Sequence, residues 1–214
     1  MFKHCKNLVS IFLNENNVER IHKNAFRGLI KLKTLYLTRN QLSKLDEDLF
    51  VETQNLKKLS LNYNYFSQFP TDALSKIPKL QILNIADNSI SIIPPDAFKA
   101  LTQLQEVNLA RNMFKSVNGL IFEAALKLSS VDLSGNEIIE LDDLGFQTPG
   151  TLIHFLLVTK FFSIFFRHDR NQVALVSEWW GQKQYIEIEP KLIGGAKILS
   201  ITHLWGIIFF DKFF

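Results

Sequence analysis

The sequence LQILNIADNSISIIPPDAFKALTQ, residues 80–103, decides the fold because its pattern recurs along most of the chain. Apolar residues and one asparagine occupy fixed places in it: Leu80, Leu83, Ile85, Asn88, Ile90, Ile93, Phe98 and Leu101. The pattern returns every 24 residues without insertion, in six copies that start at Leu8, Leu32, Leu56, Leu80, Leu104 and Leu128. Such a period indicates a solenoid, in which each repeat buries its apolar residues against its neighbours.

Alternation within each LxxLxL segment predicts one short strand per repeat. In the quoted copy, Leu83 and Ile85 then point inward, whereas Ile82, Asn84 and Ala86 point outward. We expect parallel strands near residues 10–14, 34–38, 58–62, 82–86, 106–110 and 130–134. The predicted fold is an α/β solenoid, a right-handed superhelix with a concave parallel β-sheet and an irregular or short-helical convex side.

Two further columns of equivalent residues support this fold. The asparagines are expected to be buried and to hydrogen-bond turn backbone groups that leave the strand ladder: Asn16, Asn40, Asn64, Asn88, Asn112 and Asn136. Phenylalanines, with Leu74 in the same slot, are expected to fill the wide convex side: Phe26, Phe50, Phe98, Phe122 and Phe146. Pro70 and Pro94–Pro95 begin convex segments, where a missing N–H costs little.

The form LxxLxLxxNxLxxL, with the ending xxAFxxL at Ala25–Phe26 and Ala97–Phe98, resembles the typical 24-residue subclass of leucine-rich repeats. The resemblance covers about residues 2–150. Animal extracellular proteins share this subclass, among them Toll-like receptors, slit-type guidance proteins and hormone-receptor ectodomains. The resemblance implies an extracellular or cell-surface recognition module. It does not name a ligand, because function depends on variable positions grafted onto the fold.

The period divides the chain into three parts. Residues 1–7 are interpreted as the end of a truncated preceding repeat, because Phe2 falls in the phenylalanine column and Cys5 in the slot of Leu29; we therefore expect a fragment. The six repeats follow as residues 8–31, 32–55, 56–79, 80–103, 104–127 and 128–151. Residues 152–214 form an atypical segment with all three tryptophans and nine of the nineteen phenylalanines.

The C-terminal segment, residues 152–214, carries one further partial match to the repeat. Leu152, Phe155, Leu157, Phe162 and Phe165 fit a degenerate repeat, although Lys160 replaces the asparagine. Short strands are then predicted at 173–176 and 185–188, followed by a break at Gly194–Gly195. A native cap, a membrane segment and a misassembled exon all remain open. The apolar stretches 151–166 and 198–210 are shorter than the roughly 20 residues of a membrane span.

Motifs for catalysis or metal binding are absent from the sequence. It has no glycine-rich phosphate loop, HExxH, CxxC or GxSxG, and its five histidines are not at ligand spacing. We interpret His168–Asp169 as a polar loop and Asp142–Asp143 as a solvated turn. A single cysteine excludes an internal disulfide, and a formal net charge of +3 implies no general affinity for nucleic acid. We therefore expect no enzyme activity, no metal and no cofactor.

The outward positions of the strands, together with the eighth residue of each repeat, form the candidate partner-binding face. The expected contact residues are Phe12, Tyr36, Arg39, Lys58, Tyr63, Asn84, Asp87, Asn108, Arg111 and Asp132. Residues 1–79 contain 13 basic and 7 acidic residues (+6), whereas residues 80–150 contain 4 and 9 (−5). We expect a protein or peptide partner to be held by an aromatic and basic half, centred on Tyr36 and Tyr63, and steered by an acidic half.

Two other function classes remain open. One is a structural or adhesive matrix scaffold without a defined ligand. The other is an intracellular adaptor, which the absence of any N-x-[ST] sequon favours. The sequence does not determine the ligand, the oligomeric state or the full-length architecture.

Overall fold

The computed structural model describes residues 2, 5–138, 140–142, 154–156, 174–179, 182–193 and 196–201. A seven-stranded parallel sheet runs through the solenoid. Its strands are β1 (Ser10–Phe12), β2 (Thr34–Tyr36), β3 (Lys58–Ser60), β4 (Ile82–Asn84), β5 (Glu106–Asn108), β7 (Ser130–Asp132) and β9 (His154–Leu156). The predicted parallel sheet and solenoid architecture are confirmed.

Every strand pairs with its neighbour in a register that follows the repeat. Ile11 lies opposite Leu35, and Leu83 lies opposite Val107, so equivalent residues stack directly on one another. The middle residue of each strand from β1 to β5 and of β7 is buried, as the alternation predicts. Ile85 is also fully buried. The leucines and isoleucines of successive repeats therefore form one continuous core.

The strands end about two residues earlier than predicted, although parallel hydrogen bonding continues beyond them. The N–H of Leu61 donates to the carbonyl of Asn84 at 2.7 Å, and the N–H of Tyr63 donates to that of Ala86 at 3.1 Å. The backbone adopts a positive φ at the eighth residue of each repeat, which turns the chain away from the sheet. Ala86, predicted to point outward, is only 1% exposed.

The convex side is made mostly of turns, with the helix α1 (Thr71–Leu74) directly after Pro70. The side chains of its phenylalanine column are buried, from Phe26 and Phe50 through Leu74 to Phe98 and Phe122. The rings of Phe26 and Phe50 stack with centroids 6.3 Å apart, and those of Phe98 and Phe122 lie 4.9 Å apart. This column fills the wide side of each repeat.

The first residues and the fifth and sixth repeats add smaller features. Phe2 stacks on Phe26 at 6.3 Å, in line with its assigned column, whereas Cys5 is exposed and not buried like Leu29. The strand β6 (Ser116–Asn118) precedes a 3-10 helix (Gly119–Phe122) and pairs in parallel with β8 (Glu140–Asp142). Asp142, interpreted from the sequence as a turn residue, therefore ends a strand.

In the C-terminal segment the 24-residue offset continues into β9, since Val131 pairs with Phe155. A separate antiparallel sheet contains β10 (Ala174–Trp179), β11 (Gln182–Ile193) and β12 (Ala196–Ile201). The strands predicted at 173–176 and 185–188 overlap β10 and β11, and both elements are longer than predicted. No helix among the described residues is long and apolar enough to span a membrane. The predictions for Phe146, Lys160, Phe162, Phe165, His168–Asp169 and Gly194–Gly195 concern positions outside the described residues.

Candidate binding face

The asparagine column fixes the backbone that carries the concave face. In Asn88, the side-chain amide donates to the carbonyls of Leu61 at 3.2 Å, Ile85 at 3.1 Å and Ala86 at 3.0 Å, while its oxygen accepts from the N–H of Phe66 at 3.0 Å. One carboxamide thus satisfies four backbone groups in two successive repeats. Because unpaired buried backbone groups are costly, this column determines the shape of each turn.

The same arrangement recurs in four other repeats, where the asparagines are also buried: Asn40, Asn64, Asn112 and Asn136. Asn16 differs from the buried position expected for this column. It is exposed, and its amide contacts only the carbonyls of Leu13 and Asn14 in its own turn. The described residues place no repeat before Asn16 that would cover it.

Immediately before each asparagine lies a residue with left-handed backbone. The members of this left-handed column are Glu15, Arg39, Tyr63, Asp87, Arg111 and Gly135, with φ between 51° and 70°. A left-handed conformation costs a non-glycine residue about 1–2 kcal/mol. It is imposed by the turn, because the N–H of Asp87, for example, donates to the carbonyl of Ala110 in the next repeat at 2.9 Å. Sequence reasoning missed this geometry; its one signal was the glycine at position 135.

Aromatic and basic side chains meet in two groups, one on the first three strands and one in the turns that follow β2 and β3. The rings of Phe12 and Tyr36 stack with centroids 5.0 Å apart and 11° between their planes. Lys58 places its Nζ 5.4 Å from the centre of the Tyr36 ring, and the guanidinium of Arg39 lies 5.1 Å from that of Tyr63. Phe12 is 68% exposed and Tyr63 43% exposed. The structure thus brings together the five side chains that the sequence assigned to the aromatic and basic half.

The side chains of the later strands are held by their own turns. The oxygens of Asn84, Asn108 and Asp132 each accept a backbone N–H two residues further on, at 3.1, 3.0 and 2.9 Å. All three residues are half-buried. Since these hydrogen bonds fix the side chains, this half of the face presents a rigid polar surface.

The arginines of the face are already engaged with carboxylates one repeat earlier. Nη1 of Arg39 donates to a carboxylate oxygen of Glu15 at 2.8 Å. Arg111 makes a bidentate contact with the carboxylate of Asp87, in which Nη2 lies 2.7 Å from Oδ2. The hydrogen bond to Asp87 raises the pKa of Arg111 above its already high ordinary value. The expected division into a basic and an acidic half is therefore weaker than the sequence suggests, because these four charges cancel in pairs.

A groove of about 600 Å³ runs along the concave face and includes Tyr36, Lys58, Asn84, Asn108 and Asp132 in its lining. Three charged side chains line this groove without an ion pair to any other described residue, namely Lys58, Glu106 and Asp132. Within the described residues, no cluster of three or more histidine, cysteine, aspartate or glutamate side chains could hold a metal ion. The groove thus offers polar and aromatic contact surface.

Several solved structures are similar to the chain. The TLR13–ssRNA13 complex matches with a TM-score of 0.65 and 26% identity over 81% of the chain, and the leucine-rich repeat domain of APL1B with 0.57 and 23% over 78%. The Toll–Spatzle complex from Drosophila matches with 0.68 and 20% over 74%. The chain spans only 23%, 45% and 21% of those chains. No curated protein sequence matches it.

The sequence model described as "Leucine rich repeat" matches the chain at residues 1–42, 30–90, 54–114 and 78–138, which together cover more than half of it. This family is a protein-interaction fold and is generally non-enzymatic. The matched residues include every strand from β1 to β5, β7 and the asparagine column. The chain belongs to the leucine-rich repeat family.

Proposed function

We propose that this chain is a non-catalytic recognition module that binds a protein or peptide partner on its concave face. The observation that carries the proposal is the exposed stack of Phe12 and Tyr36, with Lys58 over the Tyr36 ring and Arg39 over Tyr63. Tyrosine and arginine most often anchor protein interfaces. Strands and hydrogen-bonded turns hold these side chains, so little conformational entropy is lost when a partner docks.

The class of ligand rests on the residues of this chain. Two similar solenoids were solved with a bound ligand, one as the TLR13–ssRNA13 complex and one as the Toll–Spatzle complex. The fold therefore accepts different kinds of ligand. Here the two arginines of the concave face are paired with carboxylates, and the formal net charge is only +3. The paired arginines and the low net charge favour a protein or peptide over a nucleic acid.

The test is to replace both tyrosines, Tyr36→Ala with Tyr63→Ala, after isolating partners with the whole chain as bait. Loss of a central aromatic anchor typically costs more than about 2 kcal/mol, so the double variant should lose nearly all detectable binding in calorimetry or biolayer interferometry. Circular dichroism of both proteins checks that the solenoid remains folded.

A matched control is available in Tyr65, which is 65% exposed and is not one of the expected contact residues of the concave face. Tyr65→Ala combined with Lys99→Ala on the convex side should leave the affinity within about twofold, as expected for substitutions away from an interface. If this control variant loses the partner and the Tyr36–Tyr63 variant retains it, the partner uses another face and the proposal is wrong.

We further propose an extracellular or cell-surface location. Support comes from the resemblance of the repeats to those of animal extracellular proteins and from the likeness to TLR13. Surface biotinylation of cells that express the complete transcript provides the test. Labelling of the intact protein on unpermeabilised cells is expected, and labelling only after permeabilisation would favour the intracellular adaptor instead.

A further inference from the structure

Lysines gather along one edge of the solenoid from residue 6 to the end of the third repeat, close to where each strand begins. This lysine edge consists of Lys6, Lys31, Lys33, Lys57, Lys58 and Lys79. Five of the six are exposed, and Lys58 is half-buried beside Tyr36. The segments that build this edge, residues 5–13, 29–37, 53–61 and 77–85, contain no aspartate or glutamate. The edge is therefore a band of a single charge sign.

Backbone pairing places these lysines close together. Lys57 donates its N–H to the carbonyl of Lys33 at 2.8 Å, and Thr34 lies opposite Lys58 in the sheet. Adjacent strands are about 4.8 Å apart, so the backbones of Lys33 and Lys57 lie side by side at that spacing. Two members are held in place by amides one repeat earlier, Lys31 on Asn7 at 2.9 Å and Lys79 on Asn55 at 2.7 Å.

The acidic side chains of the first three repeats lie elsewhere in each repeat. Glu15 is paired with Arg39 at the opposite end of the strand, and Glu52 is paired with Arg27 on the convex side. The band ends where Ile82 and then Glu106 take the position of Lys58 in the next two strands. Lys33 and Lys57 have no ion pair among the described residues. Their positive potential is therefore not cancelled locally.

We infer that the lysine edge, together with the stacked rings of Phe12 and Tyr36, takes an acidic segment of the protein partner. This inference rests on the proposed function and assigns chemistry to it. Lysine ammonium groups act as point charges that accept carboxylates without a fixed geometry, which suits a flexible chain of aspartate and glutamate. The continuity from Lys57 through Lys58 to the Tyr36 ring favours a peptide, since such a ligand can place an apolar side chain on the rings beside its carboxylates.

The probe is a fluorescein-labelled synthetic peptide in which glutamates alternate with phenylalanines, measured by fluorescence anisotropy with the whole chain. The variant Lys33→Gln, Lys57→Gln and Lys58→Gln should bind it about tenfold more weakly, the size expected from losing three exposed charge contacts. A matched variant that neutralises Lys99, Lys115 and Lys127, which lie in the fourth and fifth repeats, should bind the peptide within about twofold of the unaltered chain. Raising the salt concentration should remove most of the difference between the two variants.

Other outcomes separate this inference from the proposed function. If the Tyr36→Ala and Tyr63→Ala variant loses the probe while the three-lysine variant retains it, the lysine edge is wrong and the tyrosine anchors stand. If only the three-lysine variant loses the probe, the role of the lysine edge is supported and the role of the tyrosines as anchors is wrong. Tighter binding of a sulfated polysaccharide or a single-stranded RNA, or no binding of the peptide to the unaltered chain, would overturn the assignment of an acidic peptide.

Discussion

The asparagine column and the left-handed column run side by side through the same six repeats, and they use their side chains in opposite ways. Asn40, Asn64, Asn88, Asn112 and Asn136 are buried, and each completes the same set of backbone hydrogen bonds. The left-handed column shares one backbone geometry, yet it contains acidic, basic, aromatic and glycine residues. A repeat therefore specifies its turn through one side chain and leaves the preceding one available for recognition.

The largest effect is expected at the asparagine column. Asn88→Ala removes a buried side chain that satisfies the Phe66 N–H and three carbonyls, so unfolding should become easier by about 1–3 kcal/mol in urea denaturation. Asn16→Ala is the matched control, since the same amide is exposed there and should cost no more than about 0.5 kcal/mol. Equal losses for the two variants would show that the buried hydrogen bonds of Asn88 do not stabilise the fold.

A smaller effect is expected where the left-handed column contains glycine. Gly135→Ala places a methyl group at φ +70° and 2.8 Å from Cγ of Arg111, so we expect a total loss of about 1–2 kcal/mol, shared between the backbone conformation and the contact. Gly28→Ala separates these causes, because that glycine has φ +81° with no atom within 4 Å of the added carbon. If Gly28→Ala costs as much as Gly135→Ala, the contact with Arg111 contributes nothing.

The smallest effect is expected for the charge pairs of the left-handed column. Asp87→Ala removes the partner of Arg111, whose side chain is 56% exposed, and should cost about 0.2–1 kcal/mol at low salt. The loss should fall in 1 M salt because exposed charges are screened. The pKa of Arg111 is raised in the folded protein, so its stabilising contribution is present below its ordinary value and is lost only at still higher pH. Thermal melts between pH 6 and 9 should therefore show no step due to Arg111.

The period alone was enough to predict the strands and the buried leucines, because a strand in a solenoid can bury its apolar side only against its neighbours. The position of the concave-face side chains followed from the same register. The pairs between neighbouring repeats were also readable in principle. Arg39 with Glu15 and Arg111 with Asp87 are separated by 24 residues, and so are Lys31 with Asn7 and Lys79 with Asn55. Complementary polar side chains one period apart, two pairs of them oppositely charged, therefore predict these contacts.

Several features could not be predicted from residue types. Arg39 and Tyr63 have no intrinsic preference for positive φ, and they adopt it because the backbone on both sides is held by the sheet and by the next asparagine. The 1% exposure of Ala86 and the exposure of Asn16 likewise depend on which neighbouring atoms cover them.

The sequence by itself determined the repeat, the inward and outward sides of each strand and the residues that share a column, because these properties depend only on spacing along the chain. Only the tertiary structure decided which of those side chains are free to meet a partner. Arg39 and Arg111 are engaged by carboxylates one repeat earlier, whereas Lys33 and Lys57 have no such partner among the described residues. The physical reason is that the charge available to a ligand depends on the distances between side chains of different repeats, which stacking sets.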